Sequence, residues 1–99
     1  MKLTNNQKRY LRSLAHDLKP VVMVGQHGLS EAVFAELKSS MTIHELIKIK
    51  VRAESREEKQ QIIDKIVAFS KAAIVQVIGG VLVIYRPFDE DQVITLPRK

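Results

Sequence analysis

Gly25-Gln26-His27-Gly28 is the stretch of this chain best placed to do chemistry. It follows an apolar run, Val21 to Val24, and precedes a segment that opens with Ser30 and Glu31 and continues at helical spacing. A helix N-terminus carries unpaired N–H groups and the positive end of the helix dipole, so it favours anions. Glycine on either side lets another backbone approach without a Cβ in the way and permits positive φ. Phosphate is the anion such a loop would suit. By itself G-x-x-G is a weak signal, because a plain strand-to-helix turn also favours glycine. The chain has no G-x-x-x-x-G-K-[ST], and GQHG lacks the third glycine of G-x-G-x-x-G, so Walker and dinucleotide sites are excluded.

Cationic residues are the second resource. Lys and Arg number 16 against 11 acidic residues, a net charge of +5, and the excess is concentrated in two segments. Residues 1–20 carry Lys2, Lys8, Arg9, Arg12 and Lys19 against Asp17 alone; residues 38–56 carry Lys38, Lys48, Lys50, Arg52 and Arg56 against Glu45 and Glu54. Concentrated positive charge is the footprint expected of a nucleic-acid surface, although a mildly basic soluble surface would also produce it.

Other chemistries find little support. His16, His27 and His44 fall in no H-x-x-x-H or H-E-x-x-H pattern and there is no cysteine, so no metal site is expected. His16 reads as a polar residue on a helix shoulder and His44 as part of a connection. His27, inside the glycine loop, is the one histidine expected near a ligand. Ser30, Ser39, Ser40, Ser55 and Ser70 all have cap or helix-surface explanations, and Glu57 with Glu58 sits where a helix dipole favours carboxylates. No catalytic residue and no cofactor is assigned. With only Tyr10, Phe34, Phe69, Tyr85 and Phe88, the chain lacks a base-stacking platform.

These residues must be positioned by a single domain of 99 residues, long enough to bury a core without disulfides. Thr4 with Gln7 fits a capping box, and Leu3, Tyr10, Leu11, Leu14 and Leu18 then recur at helical spacing up to Pro20. Val21 to Val24 reads as a buried strand. Ser30 caps a second helix with Val33, Phe34, Leu37 and Met41 inward. In ELIKIKVRAE the alternation is strict, with Ile47, Ile49 and Val51 inward and Lys48, Lys50 and Arg52 outward. SREE, from Ser55, is a second capping box, and Ile62, Ile63, Ile66, Val67 and Phe69 mark a third helix. AAIVQVI-GG-VLVIY is a hairpin on a Gly-Gly turn, expected to pair Val77 with Leu82, Val75 with Ile84, Gln76 with Val83 and Ile74 with Tyr85. VITLPRK is either a tail or a short edge strand. The expected fold is a two-layer α/β domain in the order α-β-α-β-α-β-β, with a mixed four-stranded sheet. No signal-peptide core is seen, and the longest nearly apolar run is too short and too glycine-broken to cross a membrane; a cytoplasmic protein is expected.

Taken together, LRSLAHDLKPVVMVGQHGLSEAV, HELIKIKV, VQVIGGVLVIYRP and the terminal LPRK resemble the CRM family (chloroplast RNA splicing and ribosome maturation), in particular its bacterial stand-alone members, the YhbY proteins. The resemblance spans nearly all of the chain. It implies a KH-like RNA-binding domain, related in fold to the C-terminal domain of bacterial translation initiation factor three. Pro87 and the acidic Asp89 to Asp91 are expected to end the compact part, giving one CRM-type domain over residues 1–88 and a short tail over 89–99. The resemblance also implies a non-enzymatic role in large (50S) subunit assembly, with structured ribosomal RNA as partner and ribosomal proteins as further partners; a module docking on ribosomal or assembly proteins is the alternative. The family's GxxG loop maps onto Gly25, Gln26, His27 and Gly28, and its basic surface onto Lys8, Arg9, Arg12 and Lys19, with Lys48 and Lys50 in its ELxKxK segment. Gln26 and His27 stand where some relatives carry a cation, so the loop's charge must come from neighbours. Asp89 to Asp91 make the tail acidic, which argues against an RNA grip there.

Overall fold

Strand β2 (Leu46–Val51) is the axis of the molecule. Its alternation sends Ile47, Ile49 and Val51 to one face of a four-stranded sheet and Leu46, Lys48 and Lys50 to the other. In this computed structural model residues 2–25 and 27–99 are described; Met1 and Gln26 lie outside them. The elements run α1 (Asn5–Ala15), β1 (Val22–Val24), α2 (Glu31–Ile43), β2, α3 (Arg56–Ser70), β3 (Ala73–Ile78) and β4 (Val81–Tyr85). The sheet order is β1-β2-β4-β3, with β1 parallel to β2 and the other pairs antiparallel. This is the expected α/β class, element order and mixed four-stranded sheet.

The helices start where the sequence places their caps. Thr4 accepts the N–H of Gln7, whose side chain accepts the N–H of Thr4, completing the box. Ser30 accepts from Val33 and Ser55 from Glu58. The Ser55 box is shifted by one residue, because the Glu58 carboxylate accepts the N–H of Glu54 rather than that of Ser55. Helix α1 ends at Ala15, one turn before Pro20, with the Leu18 N–H closing a turn on the Ala15 carbonyl.

Two cores lie on opposite faces of the sheet. α2 and α3 cover the first, built on Val22, Val24, Leu37, Ile49, Ile66 and Leu82. α1 covers part of the second, built on Leu3, Leu11, Ala15, Val75, Val83 and Tyr85. The two expected layers, sheet and helices, are thus joined by a third on the far side. The hydrophobic pattern of β4 explains it: VLVIY is apolar on both faces, so both must be covered.

Three readings of the apolar runs are corrected. Met23 is 58% exposed, because β1 is an edge strand whose second face has no helix over it. Phe69 is half exposed and pairs with Phe34, ring centroids 4.7 Å apart, at the margin of the first core. In the hairpin, Val77 pairs with Leu82 and Gln76 with Val83, but Ile74 pairs with Ile84 and Ala73 with Tyr85. A bulge at Val75 takes up the extra residue and turns Val75 and Gln76 toward the same face. Val77 keeps its expected partner Leu82 yet lies 40% exposed, because β3 is the outer strand of the sheet.

Residues 89–99 form neither helix nor strand, yet Ile94 and Leu96 pack on the second core. The buried Glu45 carboxylate accepts the N–H groups of Phe88, Val93 and Ile94, and the Gln7 side chain donates to the Pro97 carbonyl at 2.8 Å. This segment completes the α1 face at the Leu46 end of the sheet.

Candidate nucleic-acid interface

The glycine loop leaves β1 at the Val51 end of the sheet. The Arg52 N–H donates to the Val24 carbonyl at 2.9 Å, tying the loop's base to the end of β2. Within the loop, the Gly28 N–H donates to the Gly25 carbonyl at 3.0 Å, closing a tight turn. Gly28 has φ 71°, in the left-handed region where a side chain is strained. A Cβ on either glycine would meet nothing within 4 Å, so the loop's outer surface is open to a large partner. His27 is exposed on it, and Gln26 lies outside the described residues. Glu31 occupies the first turn of α2, where its negative charge offsets the dipole's attraction for an anion. Cations around the loop must therefore supply the field.

Strand register puts those cations in order. On the α1 face, Ile78, Val81, Lys50 and Met23 pair in one row across all four strands. Met23 stands two residues before Gly25, so Lys50 is the row's cation nearest the loop. The next row is Gln76, Val83 and Lys48, and the Lys48 carbonyl accepts the Val21 N–H at 3.0 Å. Lys19 is exposed at that entry to β1. A third row, Ala73, Tyr85 and Leu46, lies in the core beneath α1. The helix thus covers the Leu46 end of this face and Val83 of the second row, leaving Lys48 and Gln76 partly exposed and Ile78, Lys50 and Met23 open.

A cavity of about 560 Å³ opens between α1 and those two rows. Arg9, Arg12 and His16 form its helical wall; Lys48, Gln76 and Val81 belong to the sheet side. Lys48 Nζ donates to the His16 carbonyl at 3.4 Å, so the C-terminal turn of α1 and β2 share one cation. Lys8 is half-buried, one turn before Arg12, and does not line this cavity. Arg9, Arg12 and Lys48 are thus brought together; Lys19 and Lys50 flank them through backbone pairing; Lys8 and the loop stand at the margins. His16 and Gln76 belong to the same lining, although sequence reasoning gave His16 no role and Gln76 only a place in the hairpin. The available signal for Gln76 was one amide inside an otherwise aliphatic strand pair.

Among the described residues no group of three or more His, Cys, Asp or Glu could hold a metal ion, and no helix is long and apolar enough to cross a membrane. Residues 3–86 match the family model of the CRS1 / YhbY (CRM) domain. The chain is 54% identical over 97 residues to an RNA-binding protein of Haemophilus influenzae, covering 98% of this chain and 97% of that one. It is 36% identical over 95 residues to YqeI of Bacillus subtilis, named as a probable RNA-binding protein, covering 96% and 99% of the two chains. Among solved structures, that of a hypothetical Staphylococcus aureus protein described as a candidate RNA-binding protein superposes with a TM-score of 0.81 at 36% identity, over 97% of this chain and all of that one.

Proposed function

Because the chain belongs to the CRS1 / YhbY (CRM) domain family, we propose that it is a non-enzymatic RNA-binding protein that holds structured ribosomal RNA and acts in the cytoplasm during assembly of the large ribosomal subunit. The observation that carries the RNA reading is the convergence of Arg9, Arg12 and Lys48 on one cavity, on the sheet face whose Met23 edge runs into an open glycine loop. Backbone N–H groups of the loop would position a phosphate, and Lys19, Lys48, Lys50 and the α1 cations would supply the attraction. Recognition of this kind displaces counterions, so affinity must fall with salt. For about four phosphate contacts, raising salt from 50 to 200 mM should weaken binding roughly a hundredfold. Filter-binding titrations with large-subunit RNA fragments across a salt series test this. No affinity at low salt, or a flat salt dependence, would overturn it. Co-sedimentation with large-subunit precursors rather than with mature subunits tests the assembly role.

A second reading, docking on ribosomal or assembly proteins, has one observation in its favour. Leu14, on the flank of α1 away from its cations, and Leu18, just past the helix end, are partly exposed beside Ile43 and Val93. Partners that survive ribonuclease treatment of a pull-down would favour that reading.

A further inference from the structure

We infer that the cavity between α1 and the β3–β4 hairpin is a site for an unpaired RNA nucleotide, with its base read by Gln76 and its strand led across the sheet to the glycine loop. This rests on the RNA-binding reading above and names the form of RNA that the site takes.

Three observations converge. The first is size: about 560 Å³, in a groove open to solvent between helix and sheet, is room for one small organic group such as a nucleotide. The second is the chemistry of the lining, which divides as a nucleotide does. Arg9 and Arg12 stand on the helical wall, where they can reach phosphate or lay a guanidinium plane against a base. The exposed Ile78 and the half-buried Val81 give an aliphatic floor on which a base can lie. Gln76 is the one side-chain amide among the described lining residues, and an amide presents a donor and an acceptor side by side, as a base edge does. In a duplex that edge is already paired, and the deep major groove of A-form RNA is closed to side chains.

The third observation is the path out. The row Ile78–Val81–Lys50–Met23 crosses four strands on the same face and ends two residues before Gly25. At the usual strand spacing it is about 15 Å long. Its exposed members alternate aliphatic surface with one cation, so a single strand leaving the cavity meets Lys50 before it reaches the open loop. The bulge at Val75 contributes as well. It gives Val75 to the core beneath α1 and leaves Gln76, next in the chain, facing the cavity on the same side.

The test compares short single-stranded homopolymers of the four bases by fluorescence anisotropy, with a perfect RNA duplex as competitor, for the intact protein and for Gln76→Leu. The intact protein should distinguish its best from its worst homopolymer by roughly fivefold or more. Gln76→Leu should collapse that spread while keeping the salt dependence, because its cations are untouched. Oligonucleotides carrying thiouridine should crosslink to the peptide containing residues 76–83. Equal affinity for all four homopolymers in the intact protein, an unchanged spread in Gln76→Leu, or crosslinks confined to the glycine loop would each overturn the inference. These outcomes leave the general RNA reading standing if Arg12→Glu still lowers affinity; loss of RNA binding altogether would remove both.

Discussion

The Glu45 carboxylate accepts the N–H of Ile94 at 2.6 Å across 49 residues of chain, and the N–H groups of Phe88 and Val93 at 2.8 and 2.9 Å. Glu45 is only 4% exposed, so a carboxylate in that position must be satisfied by donors, and the backbone of the C-terminal segment provides them. The contact holds Ile94 and Leu96 over the α1 face of the sheet. Glu45→Ala leaves three N–H groups without their acceptor and should lower stability by about 2–3 kcal/mol in urea unfolding. Amide exchange at Val93 and Ile94 should accelerate more than exchange within β2. Equal acceleration throughout would mean that Glu45 supports the whole domain rather than this segment.

Tyr85, in the same core, gives an alkaline signature. Burial raises its phenol above the ordinary value near 10, and the charge of Glu45 raises it further. The unfolded chain therefore releases this proton first. Tyr85 contributes stability that is fully present below pH 10 and is lost as pH rises beyond it. Urea midpoints measured from pH 8 to pH 11 should fall at the alkaline end for the intact protein and fall less for Tyr85→Phe.

Arg12 lies in the cavity wall, whereas Lys65 is exposed on α3, which packs on the opposite face of the sheet. Reversing either charge changes the net charge equally. Arg12→Glu should weaken RNA binding roughly tenfold or more and reduce the salt slope by about one, while Lys65→Glu should leave affinity within about twofold. Equal losses would mean that net charge, rather than this surface, drives binding.

The loop glycines separate strain from contact. Gly28→Ala puts a Cβ at φ 71° and should cost about 1 kcal/mol; Gly25→Ala, with open space and no positive φ, should be nearly neutral to stability. Replacing both by Asp should keep the fold, since neither Cβ meets anything, and should weaken RNA binding by setting carboxylates where phosphate approaches. Unchanged affinity with an intact fold would count against the loop.

Gly80 is the contrasting case. A Cβ there would lie 2.9 Å from the Val51 carbonyl, while the Gly80 carbonyl itself accepts the Val51 N–H at 2.7 Å. Gly80→Ala should lower the thermal midpoint by several degrees, reflecting a loss on the order of 1–2 kcal/mol. Its binding of RNA per folded molecule should be little changed.

What could be read in the sequence was local. The caps at Thr4, Ser30 and Ser55, the alternation of β2 and the Gly-Gly turn each rest on residues within a few positions of one another, and each holds. The bulge at Val75 could not be read, because AIVQVI is as regular a strand pattern without it; the offset arises from packing Val75 beneath α1. Glu45 looked like one more acid ahead of a strand, since its three donors lie 43 to 49 residues away and carry no signal in their side chains. The cavity was half legible. Arg9, Arg12 and Lys48 were expected on the surface, but their meeting at Gln76 depends on which face α1 covers, and an amphipathic pattern states only that a helix has an inner face.

The strict alternation of β2 has a consequence for folding as well as for binding. A slip of one residue in its pairing would drive Lys48, Lys50 and Arg52 between the sheet and α2–α3 and send Ile47, Ile49 and Val51 to the other face. An all-aliphatic strand would pair almost as well in either register. The outward lysines of β2 therefore also act as a ratchet on assembly of the sheet, admitting one alignment of β2 against β1 and β4. Selection for a basic surface would preserve that fidelity, even if the protein never met an RNA while folding.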